Sequence, residues 1–298
     1  MGLSGVRQEA LYIAVRELHH TTGYSIEAFC KILPLNRSSY YKWLNRKKSK
    51  RQTEREELVH QIGTLYAEFN GIYGYRRIAD ELNARNPVKC NYKRIYRLMS
   101  IVGLKAVIRR KRPRHQRSTP EVTAENSLNR DFTANGLNEK WLTDVTEFKY
   151  GNSEKLYLSA ILDLKDKGII SYAIGKSNNN QLVFDTLDRA VAKYPDAHPL
   201  FHSDRGFQYT SKLFKAKLDK ANMTQSMSRV GRCIDNGPME GFWGILKCEM
   251  YYLAGFDDYQ SLAKAIEDYI HFYNTGRRQK KLNCLSPMVF RRWLEGVA

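Results

Sequence analysis

Cysteines and long apolar runs are scarce in this sequence of 298 residues. The five cysteines are scattered, and no two of them form a Cys-x-x-Cys pair. An odd, scattered set argues against a disulfide framework or a structural zinc site and favours reduced thiols in a cytoplasm. No apolar run approaches the roughly 20 residues that span a bilayer, and the first residues lack the apolar segment of a signal peptide. The sequence therefore predicts a protein with no membrane segment.

Acidic residues are scarce in the first part of the chain. Residues 1–130 hold 26 Lys and Arg against 11 Asp and Glu, whereas residues 131–298 hold 23 against 20. Most of the net charge of +18 therefore lies in the first 130 residues. A basic part joined to a nearly neutral part indicates a polyanion-binding module attached to a part with another task. The alternative is a basic surface that serves solubility.

Residues 1–50 show the pattern of a helix-turn-helix. Apolar positions at helical spacing in residues 8–20 are followed by two short helical stretches, 25–33 and 37–45, with Pro34 between them. Ser25 is a suitable N-cap for the first stretch. A short helix, a tight break and a basic second helix are typical of a DNA-binding helix-turn-helix. Arg37 and Lys42 of the second helix are the side chains predicted to face the DNA groove.

Residues 51–117 predict a second helical DNA-binding region with a basic arm. Helical patterns cover residues 54–69 and 92–102, and between them a glycine-punctuated turn at 71–78 enters another helix that runs through Leu82. Gly103 is a good residue for the end of the last helix. Residues 105–117 include seven Lys and Arg, a run that cannot fold alone and is expected to lie along phosphates. A polar linker is predicted at residues 118–135. The predicted DNA contacts of this region are Arg76, Arg77, Lys93, Arg94, Arg97, Arg109, Arg110, Lys111 and Arg112.

From residue 136 the apolar pattern changes from helical to strand-like. Strands are predicted at 145–150, 156–164, 169–174, 200–203 and about 223–228, helices at 181–194 and 211–220, and one long helical tail from 238 to about 274. The order βββαβαβα predicts an α/β fold with a mixed sheet, typical of ribonuclease H-like proteins. We therefore predict a catalytic core at residues 136–250 and a C-terminal helical extension at residues 251–298.

Three carboxylates stand where that fold would bring them together. Asp144 lies at the head of the first predicted strand, among apolar neighbours where a charge is costly unless it is used. Asp204 follows the fourth strand, and Gly206 permits a sharp turn that would expose the carboxylate. Glu240 lies on the first turn of a helix whose first residue is Pro238. Each residue alone would be ordinary, because an Asp at a strand start and a Glu near a helix start are common.

The three carboxylates together fit metal-dependent phosphoryl transfer. Joining DNA strands uses two divalent ions, one at the attacking oxygen and one at the leaving oxygen, and Mg²⁺ or Mn²⁺ takes a few carboxylates with water and phosphate. We therefore predict two ions per active site, held by Asp144, Asp204 and Glu240. Asp163 and Asp235 are weaker rivals, and Glu249 lies nine residues after Glu240 on the opposite helix face.

These motifs resemble the catalytic core of insertion-sequence transposases of the IS-three family, relatives of retroviral integrases. The matching stretches are Trp-Leu-Thr-Asp-Val-Thr-Glu-Phe at 141–148, His-Ser-Asp-Arg-Gly-Phe-Gln-Tyr at 202–209 and Asp-Asn-Gly-Pro-Met-Glu-Gly-Phe-Trp-Gly-Ile-Leu-Lys-Cys-Glu at 235–249. The 35 residues between Asp204 and Glu240 are the spacing of this class. The resemblance identifies Lys247 as the family's basic residue, and two helical turns place it on the Glu240 face, within reach of the same DNA.

Residues 73–78, 93–99 and 273–287 extend the resemblance over most of the chain. It implies an OrfB-type DDE transposase that binds the terminal inverted repeats of its element, frees a 3′-hydroxyl with water and uses that hydroxyl for strand transfer. The implied partners are double-stranded DNA, further copies of the chain, and an upstream-frame OrfA protein that is fused to it or assists it. The implied location is the bacterial cytoplasm, at the nucleoid. His202, Gly206 and Asn236 are predicted to support the site.

Several alternatives stay open at this point. One alternative is that His202 orients Asp204 or a phosphate, and the other is that it is a packed histidine. Trp243 is expected to lie in the core rather than to stack on a base. The chain as a whole could be a DNA-binding regulator whose catalytic core is idle, or a nuclease of ribonuclease H type. A nuclease would not need so basic a first 130 residues.

Overall fold

A computed structural model describes residues 3–108, 125–229 and 233–296 of the chain. The predicted DNA contacts Arg109, Arg110, Lys111 and Arg112 lie outside the described residues. The chain divides into two compact units, Met1–Gln61 and Ile62–Ala298, with the boundary inside helix α4 (Lys50–Glu68). No helix in the described ranges has the length and apolar character needed to cross a bilayer. The five-part division of the chain drawn from the sequence stays a prediction.

The first unit is helical, with α1 (Leu3–Thr22), α2 (Ile26–Ile32) and α3 (Arg37–Leu44). Ser25 caps α2 as expected, since its hydroxyl accepts the Ala28 N–H at 3.2 Å, and Asn36 caps α3 in the same way. The apolar faces of the three helices share a small core. Its buried members are Tyr12, Val15, Cys30 and Tyr40.

The second unit begins with the end of α4 and a pair of helices, α5 (Tyr75–Arg85) and α6 (Tyr92–Ile101). The amphipathic faces of α5 and α6 bury Ile78, Leu82 and Ile95. Gly103 follows the end of α6 with a φ of +75°, a left-handed conformation that favours glycine.

Five strands form the mixed sheet that the sequence predicts. Antiparallel pairing joins β1 to β2 and β2 to β3, β4 lies parallel to β1, and β5 lies parallel to β4. The strand order β3-β2-β1-β4-β5, with two helices between the later strands, is that of the ribonuclease H-like fold. The bounds are β1 Lys140–Tyr150, β2 Glu154–Asp163, β3 Ile169–Gly175, α7 Asn180–Lys193, β4 Leu200–Ser203, α8 Lys212–Lys220 and β5 Thr224–Met227.

Helices cover both faces of the sheet, so the side chains of β1 point alternately into two hydrophobic cores. Leu142 and Phe148 belong to the core cluster shared with the C-terminal helices, whereas Trp141 belongs to the cluster shared with α7 and α8. Because side chains alternate along a strand, Asp144 points to the same face as Leu142.

The C-terminal part differs from the single long helix predicted by the sequence. It forms α9 (Gly237–Glu249), α10 (Tyr259–Thr275) and α11 (Pro287–Leu294), with short 3-10 turns at Cys233–Asn236, Tyr251–Leu253 and Lys280–Leu282. Helix α9 ends at Glu249, and a new helix begins after Asp258, whose carboxylate accepts the Ser261 N–H at 2.8 Å. Helix α10 then contributes Leu262, Ile266 and Ile270 to the sheet core.

Residues 125–135, predicted as part of a linker, are docked on the catalytic sheet. Leu128 is buried in the main core, and its N–H donates to the Ser226 hydroxyl of β5 at 3.1 Å. Arg130 pairs with the buried Asp235 at 2.6 Å. Polar composition suggested a linker, but Leu128, together with Phe132 and Ala134 packed against the same core, and the Arg130–Asp235 ion pair fix its path.

Candidate active site

Asp144 lies in the middle of β1, four residues after its start, and not at the head of the strand as the sequence suggested. It stands opposite Ala160 of β2 and is half-buried. Its Oδ1 accepts the Val145 N–H at 2.8 Å, and its Oδ2 accepts the indole N–H of Trp243 at 2.9 Å. Both oxygens of this carboxylate are therefore held by donors of the protein.

Asp204 follows β4 immediately and lies beside Asp144. The parallel register pairs Leu142 with His202, and the same offset puts Asp144 level with Asp204, just beyond the end of β4 at Ser203. Adjacent strands are about 4.8 Å apart, which brings the two carboxylates together.

Gly206 holds the Asp204 carboxylate in a turn. The Gly206 N–H donates to Asp204 Oδ1 at 2.9 Å. A Cβ at position 206 would lie 2.8 Å from Gln208 Oε1 and 3.0 Å from Asp204 Oδ1, so a close approach, and not a left-handed backbone, requires the glycine. The carboxylate is half-buried and not exposed as expected, because it turns inward to this donor.

Glu240 reaches the site from the first turn of α9. The helix begins at Gly237, one residue before the predicted start, and Glu240 is exposed. The buried Asn236 connects this helix to β1, because its Nδ2 donates to the Thr143 carbonyl at 3.0 Å. Asn236 thus fixes the start of the Glu240 helix beside the residue that precedes Asp144.

The charges of the three carboxylates act on one another. Burial, then the charge of Asp204 and to a smaller extent that of Glu240, raises the pKa of Asp144 to about 7, against the opposing effect of its two hydrogen bonds. Burial also raises the pKa of Asp204. Neighbouring carboxylates raise one another's pKa because their negative charges repel. A bound divalent cation offsets this repulsion, so such a pair favours cation binding.

The donor set suits magnesium or manganese. In the part of the chain that the structure describes, no group of three or more His, Cys, Asp and Glu side chains is gathered tightly enough to hold a metal by itself. Mg²⁺ does not need such a cage, since it keeps several waters and binds one or two carboxylates together with substrate phosphates. Asp144 and Asp204 offer those oxygens, with Glu240 at the rim.

Lys247 lies on the same side of α9 as Glu240, and the charges of Asp144 and Glu147 act on it. Its Nζ is 5.1 Å from the centre of the Phe148 ring. Burial lowers the pKa of Lys247, while the charges of Asp144 and Glu147 act in the opposite direction. A lysine held over an aromatic ring beside carboxylates has a defined position from which to meet a phosphate.

His202 is a packed histidine. Its Nδ1 lies 2.9 Å from the Ser226 hydroxyl and its Nε2 lies 3.2 Å from the Ser228 hydroxyl. Burial lowers its pKa to about 4, so the ring is neutral at physiological pH. Both ring nitrogens are directed at β5 and its end, which argues against the suggested role of orienting Asp204 or a phosphate.

The rival carboxylates are all committed to arginines. Arg291 pairs with Asp163 at 3.0 Å, and Arg229 pairs with Asp235 at 2.9 Å. Glu249 pairs with Arg277 at 2.8 Å and is buried. These ion pairs argue against a metal-binding role for all three residues.

Two of the predicted DNA contacts also form ion pairs within the protein. The Arg77 guanidinium pairs with the buried Glu249 at 2.6 Å. Arg37 is exposed and pairs with Glu27 at 3.1 Å. The remaining described residues of this set are exposed: Lys42, Arg76, Lys93, Arg94 and Arg97.

Trp243 is the residue whose role the sequence did not reveal. It is 7% exposed and belongs to the core, as expected, but its indole N–H also bonds Asp144. The sequence contained one indication of this role. Trp243 lies three positions after Glu240, so the two residues share a face of the helix. Only the sheet position of Asp144 could show which acceptor the indole meets.

Comparison with known proteins identifies the family of the chain. A family model described as "Integrase core domain" matches residues 134–233, and a second one with the same description matches residues 240–293. A model described as "HTH-like domain" matches residues 53–112, the region of α4, α5 and α6. The catalytic core domain of the HTLV-2 integrase, solved in complex with magnesium, is 19% identical with a TM-score of 0.40, covering 52% of this chain and 97% of that one.

Three bacterial proteins are similar to this chain over nearly their whole length. A protein of Escherichia coli K12 described as a transposase, InsK, for insertion sequence element IS150 is 39% identical over 269 residues, which are 90% of this chain and 94% of that protein. A transposase-like protein of Haemophilus influenzae is 42% identical over 207 residues, 70% of this chain and 95% of its own. The transposase InsF for insertion sequence IS3A of Escherichia coli K12 is 32% identical over 277 residues, 91% and 95% of the two chains. The chain therefore belongs to the IS-three family of insertion-sequence transposases, DNA transposases with an integrase-type core and a helix-turn-helix-like domain.

Proposed function

We propose that this transposase carries out metal-dependent 3′-end cleavage and strand transfer, with Asp144, Asp204 and Glu240 as its catalytic carboxylates. The observation that carries the proposal is that two acidic residues, Asp204 at the end of β4 and Glu240 on the first turn of α9, both act on Asp144 of β1. The charge of Asp204 and, to a smaller extent, that of Glu240 raise the pKa of Asp144, which supports the assignment of the three carboxylates to one site.

The three carboxylates would hold two Mg²⁺ or Mn²⁺ ions. When bound, two such ions activate the attacking oxygen and neutralise charge on the leaving oxygen of a phosphodiester. The protein's own task is to hold the reacting DNA in line and to limit water around it. Lys247 is suited to bind a phosphate next to the reacting one, since its ammonium lies beside Phe148 on the Glu240 side of α9.

Substrate recognition belongs to the basic helical regions in this proposal. The exposed Lys93, Arg94 and Arg97 lie on α6, within the helix-turn-helix-like match. They would contact the terminal inverted repeats of the element, with Arg37 and Lys42 of α3 as further DNA contacts. Arg109, Arg110, Lys111 and Arg112 keep their proposed role along phosphates.

Assembly and location follow from the same proposal. The chain would act as a homo-oligomer on double-stranded DNA, because two element ends must be joined together. An upstream-frame OrfA protein, fused or separate, would assist it. The site of action would be the bacterial cytoplasm, at the nucleoid.

The test is strand transfer with pre-cleaved duplexes of the element's own ends, in Mg²⁺ or Mn²⁺, with and without the upstream-frame protein. The wild type should join DNA, and Glu240→Gln should bind DNA but form at least about 100-fold less joined product. Glu267→Gln, an equal charge change at an exposed position of α10, is the matched control and should join normally.

Other outcomes identify the alternative functions. Cleavage with no joining in either condition would indicate a nuclease. Binding without cleavage or joining, even with the upstream-frame protein present, would indicate a regulator with an idle core.

A further inference from the structure

The Asp144 carboxylate can be held in one orientation only if both of its oxygens have partners. The terminal torsion of an aspartate is broad and nearly two-fold, so a single hydrogen bond leaves the carboxylate free to turn. The backbone N–H of Val145 holds Oδ1 at 2.8 Å, and the indole N–H of Trp243 holds Oδ2 at 2.9 Å. The indole bond is thus the long-range contact that fixes the plane of this carboxylate.

The indole donor is itself held rigidly. Trp243 is 7% exposed, and its ring packs against Phe242 with ring centres 5.0 Å apart. Phe242 in turn packs against Tyr273 of α10 at 4.8 Å. Since an indole nitrogen only donates, it cannot exchange roles or attract a proton from the carboxylate. The donor is therefore already placed before any substrate binds.

The bond also joins two elements of the active site. Glu240 and Trp243 are three residues apart on α9 and share a face of that helix. Helix α9 thus supplies one carboxylate directly and holds a second carboxylate, on β1, through a hydrogen bond. A shift of α9 along the sheet would change both residues together.

Trp141 is an internal control for Trp243. This tryptophan lies on the same strand as Asp144, three residues before it, and is fully buried. Its indole N–H is also buried and finds no hydrogen-bond partner among the described residues. Replacing either tryptophan by phenylalanine removes a buried indole N–H, but only at position 243 does the change take a bond from Asp144.

We propose that Trp243 is a positioning residue of the transposition reaction, whose indole N–H orients the Asp144 carboxylate for divalent metal binding and ties it to the Glu240 helix. The inference rests on the proposed function, since it requires Asp144 to be a metal ligand. Hydrogen bonds to metal-ligating side chains affect metal affinity, and their loss weakens binding by about 10–100-fold.

The test compares Trp243→Phe, Trp141→Phe and Asp144→Asn in the full chain bound to duplex DNA of the element's ends. Mn²⁺ affinity is measured by electron paramagnetic resonance of the free ion, and joining is measured against Mn²⁺ concentration. For Trp243→Phe we expect Mn²⁺ affinity to fall about 10–100-fold, with joining largely restored at saturating Mn²⁺. Trp141→Phe should match the wild type in both measurements.

The outcomes separate this inference from the proposed function. If Asp144→Asn joins DNA normally, or if the wild-type complex binds no Mn²⁺, the proposed function fails. If Asp144→Asn is inactive while Trp243→Phe keeps wild-type Mn²⁺ affinity, only the role of Trp243 is overturned. An equal loss of affinity in both phenylalanine variants would also overturn it, because the effect would then follow from core packing.

A second measurement covers the case in which Trp243→Phe does not fold. In chain labelled with ¹⁵N-tryptophan, the indole resonance of Trp243 should move on Asp144→Asn substitution, because its acceptor loses its charge. The resonance of Trp141 should stay in place. An unmoved Trp243 resonance would show that the indole does not bond Asp144, and the inference would be rejected.

Discussion

At the scale of single residues, the buried His202 links two strands beside the active site through the hydrogen bonds of its neutral ring. His202 lies on β4, two residues before Asp204, and is neutral because burial lowers its pKa. Its two ring nitrogens bond Ser226 and Ser228 and so connect β4 to β5. Protonation of this ring would place an unsolvated charge next to the strand that carries Asp204.

This arrangement predicts acid sensitivity of the fold. The pKa of His202 falls from 6.5 to about 4 on folding, so between these pH values the unfolded chain binds a proton that the folded chain excludes. The free energy of unfolding should therefore decrease as pH falls from 6.5 to 4, by about 3 kcal/mol from this residue at most. His202→Asn should reduce the slope measured by urea unfolding. His271→Asn, at an exposed position, should leave it unchanged, and equal slopes in all three chains would contradict the assignment.

At the scale of elements, helix α5 is bound to the catalytic core through charges. Arg77 of α5 and Arg277, which follows α10, share the buried Glu249 at the end of α9. Arg278 bonds Glu81 of α5 at 3.2 Å. Burial alone would raise the pKa of Glu249, but its hydrogen bond with Arg277 and the charges of both arginines lower the pKa below the ordinary value. Helix α5 is thus fixed to the helix that carries Glu240.

Two adjacent arginines of α5 should therefore behave differently. Arg77→Gln removes one partner of a buried carboxylate and should lower the free energy of unfolding by about 1–3 kcal/mol. Arg76→Gln changes an exposed residue and should alter stability by less than about 0.5 kcal/mol. Arg76→Gln should instead weaken DNA binding and reduce its salt dependence by about one unit of the log–log slope. Unfolding curves and DNA titrations at several salt concentrations measure both effects; a reversed pattern would contradict this assignment.

At the scale of the whole molecule, the positive charge lies mainly in the predicted DNA-binding part of the chain and not in the catalytic core. The first 130 residues carry most of the net charge of +18, and the catalytic sheet lies in the nearly neutral remainder. Phosphate binding by many arginines and lysines releases counterions, which makes affinity depend steeply on salt. A basic surface that only serves solubility would not engage phosphates in this way.

The full chain should lose DNA affinity by about 10³-fold or more between 50 and 200 mM salt, the behaviour of proteins that contact several phosphates. Fluorescence anisotropy with a labelled duplex measures this directly. A loss below about tenfold would favour the alternative in which the basic residues are a solvated surface. Joining by pre-assembled complexes should be affected less than assembly, because interactions at a partly buried site are screened less by salt than those between exposed charges.

The sequence by itself determined the fold class, the family and the three candidate carboxylates. Alternating strand patterns and helical spacing are local properties, and the spacing of Asp204 from Glu240 is written directly in the chain. The N-cap at Ser25 also depends on neighbours in sequence only. Such features need no knowledge of which elements pack together.

Only the tertiary structure decided which polar side chains serve the site and which serve packing. Arg77 and Arg76 are adjacent in sequence, yet only Arg77 meets a buried carboxylate, 172 residues further along the chain. Trp141 and Trp243 are both buried, yet only Trp243 finds an acceptor among the described residues. These partners are set by sheet register and by the docking of α9 and α10, which bring distant residues within hydrogen-bond distance. No pattern of neighbouring residues contains that information.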